Sequence, residues 1–235
     1  MGRFRDAGRR DSWGCDAGGG KKGLTDRTLI IVTSDNGATP GADFKTLAAK
    51  GHDPSGPLRG HKADLFEGGH RVAFLAQWPG TIPPGTRCDQ TICHTDLLAT
   101  AAEIVDCDLP DQAGEDSVSI LPLMKQPDHG PVREATVHHS INGSFSIRRG
   151  KWKLSFCPGS GGWSQPRPAE ARKKKLPSLQ LYDLEGDLAE EDNLQAEHVQ
   201  LVDEMTGLLQ SYIDKGRSTP GARQKNDRDV NFQSK

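Results

Sequence analysis

The 235 residues carry a formal net charge of −2 and a pI near 6.4, which gives no electrostatic basis for binding nucleic acid. The length suits one large domain or a domain and a half. A hydrophobic content of 34% beside 27 Gly and 15 Pro predicts a modest core with long connections, and no apolar run is long enough for a membrane span.

Residues 1–23 mix Arg, Asp and Gly without periodicity and end in GGGKK. They contain no apolar h-region, so they do not read as a signal peptide. The Met-Gly start lacks Ser or Thr at the sixth position and does not fit myristoylation. A phosphate-loop reading fails as well, because Cys15 stands where its first Gly should be and Lys22 replaces Ser or Thr. The expectation is an unstructured segment or a misread gene start. The five cysteines (Cys15, Cys88, Cys93, Cys107 and Cys157) include no CxxC pair. The spacing of Cys88, Cys93, His94 and Cys107 matches no usual zinc site, so scattered thiols are expected.

Residues 29–37, LIIVTSDNG, organise the rest of the chain. Leu29, Ile30, Ile31 and Val32 form a continuous apolar run ending in turn residues, the pattern of a strand buried on both faces in a parallel sheet. Asp35 and Asn36 then fall just past its carboxyl end, where open α/β sheets place ligands. Their side-chain oxygens suit a hard cation such as Ca²⁺ or Mg²⁺; alternatively, Asp-Asn-Gly simply makes the turn. A Gly/Pro/His-rich loop over 38–69 comes next, with one helical turn around 44–49. A second buried-type strand is predicted at 72–77, then a helix over 94–105, capped by Thr95. Its apolar face would be Leu97, Leu98, Ala101, Ala102, Ile104 and Val105. A short helix or turn over 117–125 closes this part.

From about Gly130 the pattern changes to short strand-like runs at 135–139, 144–148, 152–156 and 179–183. Hairpin turns are predicted at Asn142-Gly143 and Arg149-Gly150. Residues 158–177 read as a basic solvated loop. Residues 193–212 read as an amphipathic helix with Val199, Val202, Met205, Leu208, Leu209 and Tyr212 on one face. The expected division is therefore 24–129, 130–215 as a small antiparallel sheet with a helix, and a polar tail over 216–235.

The segment GPLRGHKADLFEGGHRV at 56–72 stands in order with LIIVTSDNG, Trp78-Pro79-Gly80, the helix from Thr95 and LYDLEGD at 181–187. Together these resemble the carboxyl-terminal half of type I sulfatases of the arylsulfatase A-like kind, over roughly residues 24–223. The resemblance implies part of an alkaline-phosphatase-like α/β domain followed by the small antiparallel subdomain. It implies a sulfuric ester hydrolase acting on sulfated small molecules or saccharides, with Asp35 and Asn36 as two ligands of an active-site Ca²⁺ and Lys62 touching a sulfate oxygen. Cation and ammonium would clamp the sulfate while charge builds on the leaving oxygen. Glu67 and Arg71 are expected to pair within the loop or to cap a helix. Export is the habit of the family, and the Asn142-Gly143-Ser144 sequon is compatible with it.

The nucleophile of that family is a formylglycine made from Cys or Ser in a C/S-x-P-S-R motif, which this sequence does not contain. In residues 164–167, SQPR, the Arg stands one position early. The paired Asp of the first strand and further catalytic groups of the family are not found either. The expectation is a chain that is inactive alone and leaves strand edges and apolar faces uncovered. His52, His61, His70, His138 and His139 each read by default as exposed. His61, beside Lys62, and His139, before a turn, are the substrate-binding candidates. Two rivals stand beside this reading. One is a phosphoester or phosphonate hydrolase of the same superfamily. The other is a non-catalytic fragment binding sulfated or acidic sugars through Lys62, Arg71, Arg148 and Arg149.

Overall fold

The computed structural model describes residues 23–233, so the expectation for residues 1–23 lies, apart from Gly23, outside the described residues. Among these the elements run β1 (Ile30–Thr33), α1 (Phe44–Ala49), α2 (Glu67–His70), β2 (Phe74–Gln77), α3 (Asp96–Ile104), α4 (Leu121–Lys125), β3 (Thr136–His139), β4 (Phe145–Arg149), β5 (Trp152–Ser155), α5 (Pro168–Lys173), β6 (Gln180–Asp183) and α6 (Val199–Lys215). They form two compact units that interleave along the chain. Among the described residues, one contains 23–34, 73–110 and 117–132; the other contains 35–72, 111–116 and 133–233. Residues 35–72 thus cluster with the later strands and not with β1.

In the first unit β1 pairs antiparallel with β2 (Ile31 opposite Ala76, Thr33 opposite Phe74). The expectation of a doubly buried strand in a parallel sheet is corrected here. Ile30–Val32 are half-buried and β2 alternates, with Ile31, Phe74 and Ala76 packed against Ile120, Leu123 and Met124 and Leu75 turned outward at 41% exposure. An antiparallel pair with one covered face needs only this period-2 pattern. α3 also departs from its expected face. Its buried residues are Asp96 and Thr100, whereas Leu98 and Val105 are exposed.

The reason lies in hydrogen bonding. Asp96 Oδ2 accepts from Cys93 N at 2.7 Å and Oδ1 from Val118 N at 3.0 Å. Thr100 Oγ1 donates to Asp96 O and accepts from Ile120 N. The start of α3 is thus held by Asp96, not by the expected Thr95. Asp96→Ala would strand two backbone N–H groups and should cost about 2 kcal/mol or more of stability. Urea unfolding checks this, and a loss below about 0.5 kcal/mol would contradict it.

In the second unit β3, β4, β5 and β6 form an antiparallel meander in sequence order, turning at Gly143 and Gly150, both left-handed. α6 packs Val202, Met205 and Leu209 onto Ile147, Leu154, Phe156 and Leu181. At about 1.5–3 kcal/mol for each buried side chain, packing and not propensity fixes this helix. It starts at Val199, which is 59% exposed, six residues later than expected. Asn193 is spent elsewhere: its Oδ1 accepts from Leu181 N and its Nδ2 donates to Leu179 O, tying the chain to β6. The tail is not purely polar. Phe232 is buried in the same core, edge-on to Phe156 with ring centroids 4.8 Å apart.

Candidate functional site: the Lys62 loop and its anchors

β1 ends at Thr33, and Asp35 and Asn36 come after a single intervening residue. Asp35 is exposed and Asn36 half-buried, and Asn36 Nδ2 donates to Asp35 Oδ2. The next residues are fastened to the loop that carries Lys62. Gly37 N donates to Gly69 O at 2.9 Å, and Lys62 N donates to Ala38 O at 2.8 Å. So close an approach requires Gly37, because a Cβ there would collide with the Gly68 carbonyl. Two backbone hydrogen bonds therefore fasten the segment that follows Asp35 and Asn36 to the loop of Lys62.

Lys62 is half-buried, and among the described residues its ammonium makes no hydrogen bond or ion pair. A cation without a counter-charge is a ready contact for an anion. His61 sits beside it, its Nδ1 donating to Lys62 O at 3.0 Å and its ring edge-on to Phe44. His139 is exposed at the end of β3 with Nδ1 donating to Ser140 O. That strand end meets the loop where Ile141 N donates to Ala63 O at 3.1 Å. His52 is exposed.

Asp64 sets the shape of the loop. Its buried carboxylate accepts from His61 N at 2.9 Å, Trp163 N at 2.7 Å, Ser164 N at 3.0 Å and the Ser164 hydroxyl. Sequence reasoning passed over it, because an Asp in a Gly-rich loop looks like any turn residue.

A buried ionic cluster lies under α2. Glu67 Oε1 meets Lys153 Nζ at 3.0 Å, and its Oε2 meets Arg71 at 3.3 Å and Arg148 at 3.4 Å. Lys153 also pairs with Glu190 at 2.8 Å, while Glu190 Oε2 accepts from Glu67 N. Burial opposes ionisation of Glu67, but Lys153, Arg148 and Arg71 outweigh it and hold the carboxyl below its ordinary range. Burial pushes Glu190 upward against the pull of Lys153.

The expected Glu67–Arg71 pairing is present. Lys153 was missed, since a lysine inside a strand reads as facing solvent. His70 and His138 correct the default of exposed histidines: their rings stack with centroids 3.8 Å apart, and His70 Nε2 donates to Leu65 O. Burial, reinforced by Lys153 for His70 and by His70 for His138, drives both well below the usual histidine value, so both stay neutral.

This neutral pair makes stability depend on pH. The unfolded chain protonates both rings below about pH 6.5 while the folded one does not, so the unfolded state binds more protons and stability falls as the solution is acidified. Glu190, raised in the folded state, opposes this at the acid end. His138→Phe keeps a ring against His70 and removes one titration. The thermal midpoint of the wild type should therefore drop more steeply than that of His138→Phe between pH 7 and pH 5. Parallel slopes would contradict the assignment.

The donor set of Asp35 and Asn36, one charged and one neutral oxygen ligand, suits a hard cation and supplies part of the six to eight oxygens, roughly, that Ca²⁺ takes. Among the described residues no cluster of three or more His, Cys, Asp or Glu side chains forms a metal site. Cys157 is buried and its thiol is pushed up to about 11 by that burial, so it is not an activated nucleophile.

Comparison with known proteins gives a consistent result. Residues 20–107 match the family model described as Sulfatase. The chain is 31% identical over 194 residues to the N-acetylgalactosamine-6-O-sulfatase of Bacteroides thetaiotaomicron, covering 80% of this chain and 37% of that protein. It is 32% identical over 184 residues to human arylsulfatase A, covering 74% and 35%. A solved sulfatase structure from the glycosaminoglycan-metabolising locus of Bacteroides thetaiotaomicron superposes with a TM-score of 0.69 at 28% identity, over 82% of this chain and 40% of that one. The shared architecture is the alkaline-phosphatase-like α/β fold. The chain spans little more than a third of the length of the curated relatives named here.

Proposed function

The chain belongs to the type I sulfatase family, and from that premise we propose that residues 35–72 carry the sulfate-holding side of a sulfuric ester hydrolase centre. The observation that supports this is the pair of hydrogen bonds, Gly37 to Gly69 and Lys62 to Ala38, that joins the segment after Asp35 and Asn36 to the Lys62 loop. In this reading Lys62 is the catalytic ammonium and contacts a non-bridging sulfate oxygen. Asp35 and Asn36 would hold the divalent cation the family uses, here Ca²⁺, which when bound would polarise the sulfate oxygens. His61 and His139 bind substrate. Each commits Nδ1 to a neighbouring carbonyl and so keeps Nε2 as an acceptor for a sugar hydroxyl.

The substrate class is a sulfated saccharide, as the name of the bacterial N-acetylgalactosamine-6-O-sulfatase suggests. The rival of a basic sugar-binding fragment loses support because Arg71 and Arg148 are spent on Glu67 and Arg149 on Glu204. The phosphoester rival has only the superfamily behind it, with no observation that favours it over the Lys62 motif.

This sequence contains no C/S-x-P-S-R nucleophile motif. Lys62 alone attracts the ground and transition states alike, and uniform attraction does not accelerate a step. The purified chain should therefore bind 6-O-sulfated N-acetylgalactosamine without turning over p-nitrophenyl sulfate, with or without Ca²⁺. Calorimetry should find at least about tenfold weaker binding of the sulfated sugar for Lys62→Ala. Equal binding by the two proteins would overturn the role of Lys62. Turnover that vanishes in Lys62→Ala would show that the chain supplies a nucleophile.

A further inference from the structure

We infer that Trp163 and Arg167 form a second saccharide subsite, built onto the loop of Lys62, which takes the sugar next to the sulfated one. The inference rests on the sulfate-binding reading of Lys62 and names the substrate as an oligosaccharide, not an isolated sulfate ester. Trp163 is 44% exposed, yet its backbone is tied to a buried carboxylate. Trp163 N and Ser164 N donate to the buried Asp64 Oδ1, and the Ser164 hydroxyl donates to Oδ2. One residue earlier, Gly162 lies so close to the Ala63 carbonyl that a Cβ would collide with it. Leu65 N donates to Ser160 O at 2.9 Å, closing the same seam. Ala63 and Asp64 directly follow Lys62, so the indole and the ammonium are mounted on one rigid support.

An exposed indole on a backbone tied down in this way offers a flat apolar face to solvent at a fixed place. The apolar C–H face of a pyranose ring is a fitting cover. Arg167 supplies the polar half. Its Nε donates to the backbone carbonyl of Trp163 at 3.1 Å, which ties the guanidinium to the same short turn. Among the described residues the two terminal nitrogens of Arg167 make no hydrogen bond or ion pair, leaving a planar pair of donors for a carboxylate or sulfate on the neighbouring sugar. The exposed Ile141 flanks the same support through its N–H to Ala63 O.

The experiment compares two probes on the purified chain by calorimetry: the monosaccharide N-acetylgalactosamine 6-sulfate and a chondroitin 6-sulfate tetrasaccharide. The tetrasaccharide should bind the wild type about tenfold more tightly than the monosaccharide. Trp163→Ala should abolish that gain and leave monosaccharide affinity unchanged, Trp163→Phe should keep most of it, and Arg167→Gln should reduce it. Circular dichroism selects the variants that retain the fold. A wild type with no gain for the tetrasaccharide, or a gain that survives Trp163→Ala, overturns the subsite while leaving Lys62 in place. Monosaccharide binding that is indifferent to Lys62→Ala overturns the sulfate-binding reading instead. Binding of neither probe to the wild type overturns both.

Discussion

Lys153→Met is expected to be among the most destabilising single changes in the unit that holds the candidate site. The ammonium is fully buried and bridges Glu67 at 3.0 Å and Glu190 at 2.8 Å. Its removal leaves Glu190 with the Glu67 N–H as its hydrogen-bond donor among the described residues. Breaking a buried ion pair from one side costs about 3–5 kcal/mol. That is a large share of the 5–15 kcal/mol, roughly, that holds a whole domain. Glu67 is less affected, because Arg71 and Arg148 remain. Adding Glu190→Gln to Lys153→Met removes the orphaned charge and should recover part of the loss, a non-additivity that urea unfolding of the four proteins in the cycle measures. A Lys153→Met protein within about 1 kcal/mol of wild type would show that the cluster is not the keystone its burial suggests.

Gly37→Ala should act on the site more than on the fold. The added methyl would collide with the backbone of Gly68, and no side chain can move aside to relieve it. The segment bearing Asp35 and Asn36 must then part from the Lys62 loop, breaking the Gly37–Gly69 bond and straining the Lys62–Ala38 bond. Overpacking of this kind costs about 1–3 kcal/mol, and the displacement should also reduce sulfated-sugar affinity by about tenfold or more. Gly41→Ala, whose nearest neighbour within 4 Å is the Thr39 side chain at 3.8 Å, is the control and should change neither. Equal affinity for Gly37→Ala and wild type would show that the two segments act separately.

Much of the fold was legible in the sequence where local pattern decides the outcome. The antiparallel strands after Gly130 and their turns arise from short β-branched and aromatic runs broken by glycine, and Phe44–Ala49 is a helix as its spacing implies. Features that depend on partners distant in sequence escaped reading. The apolar stripe of α3 misled because its buried face is polar, with Asp96 and Thr100 bonded to backbone some twenty residues further on. The strand at Leu29 read as doubly buried because four consecutive apolar residues look alike whether one face or both are covered. In the candidate site, Asp35, Asn36 and Lys62 were nameable from motifs, and the fastening of their two segments is what the backbone bonds add. Asp64, Lys153 and Trp163 carried no local signal. Each matters through a contact with a residue 86 or more positions away, as the pairs Lys153–Glu67 and Trp163–Asp64 illustrate.

The central claim is that the Asp35–Asn36 segment and the Lys62 loop act as one sulfate- and cation-holding site, and amide chemical-shift mapping tests it most directly. Isotope-labelled chain would be titrated with N-acetylgalactosamine 6-sulfate, with and without Ca²⁺. The account predicts that the amides of Asn36, Gly37, Lys62 and Gly69 shift together with one saturation curve, that Ca²⁺ tightens that curve, and that unsulfated N-acetylgalactosamine leaves them in place. Saturable shifts confined to other parts of the chain, or shifts at Lys62 that Gly37 does not share, would contradict it.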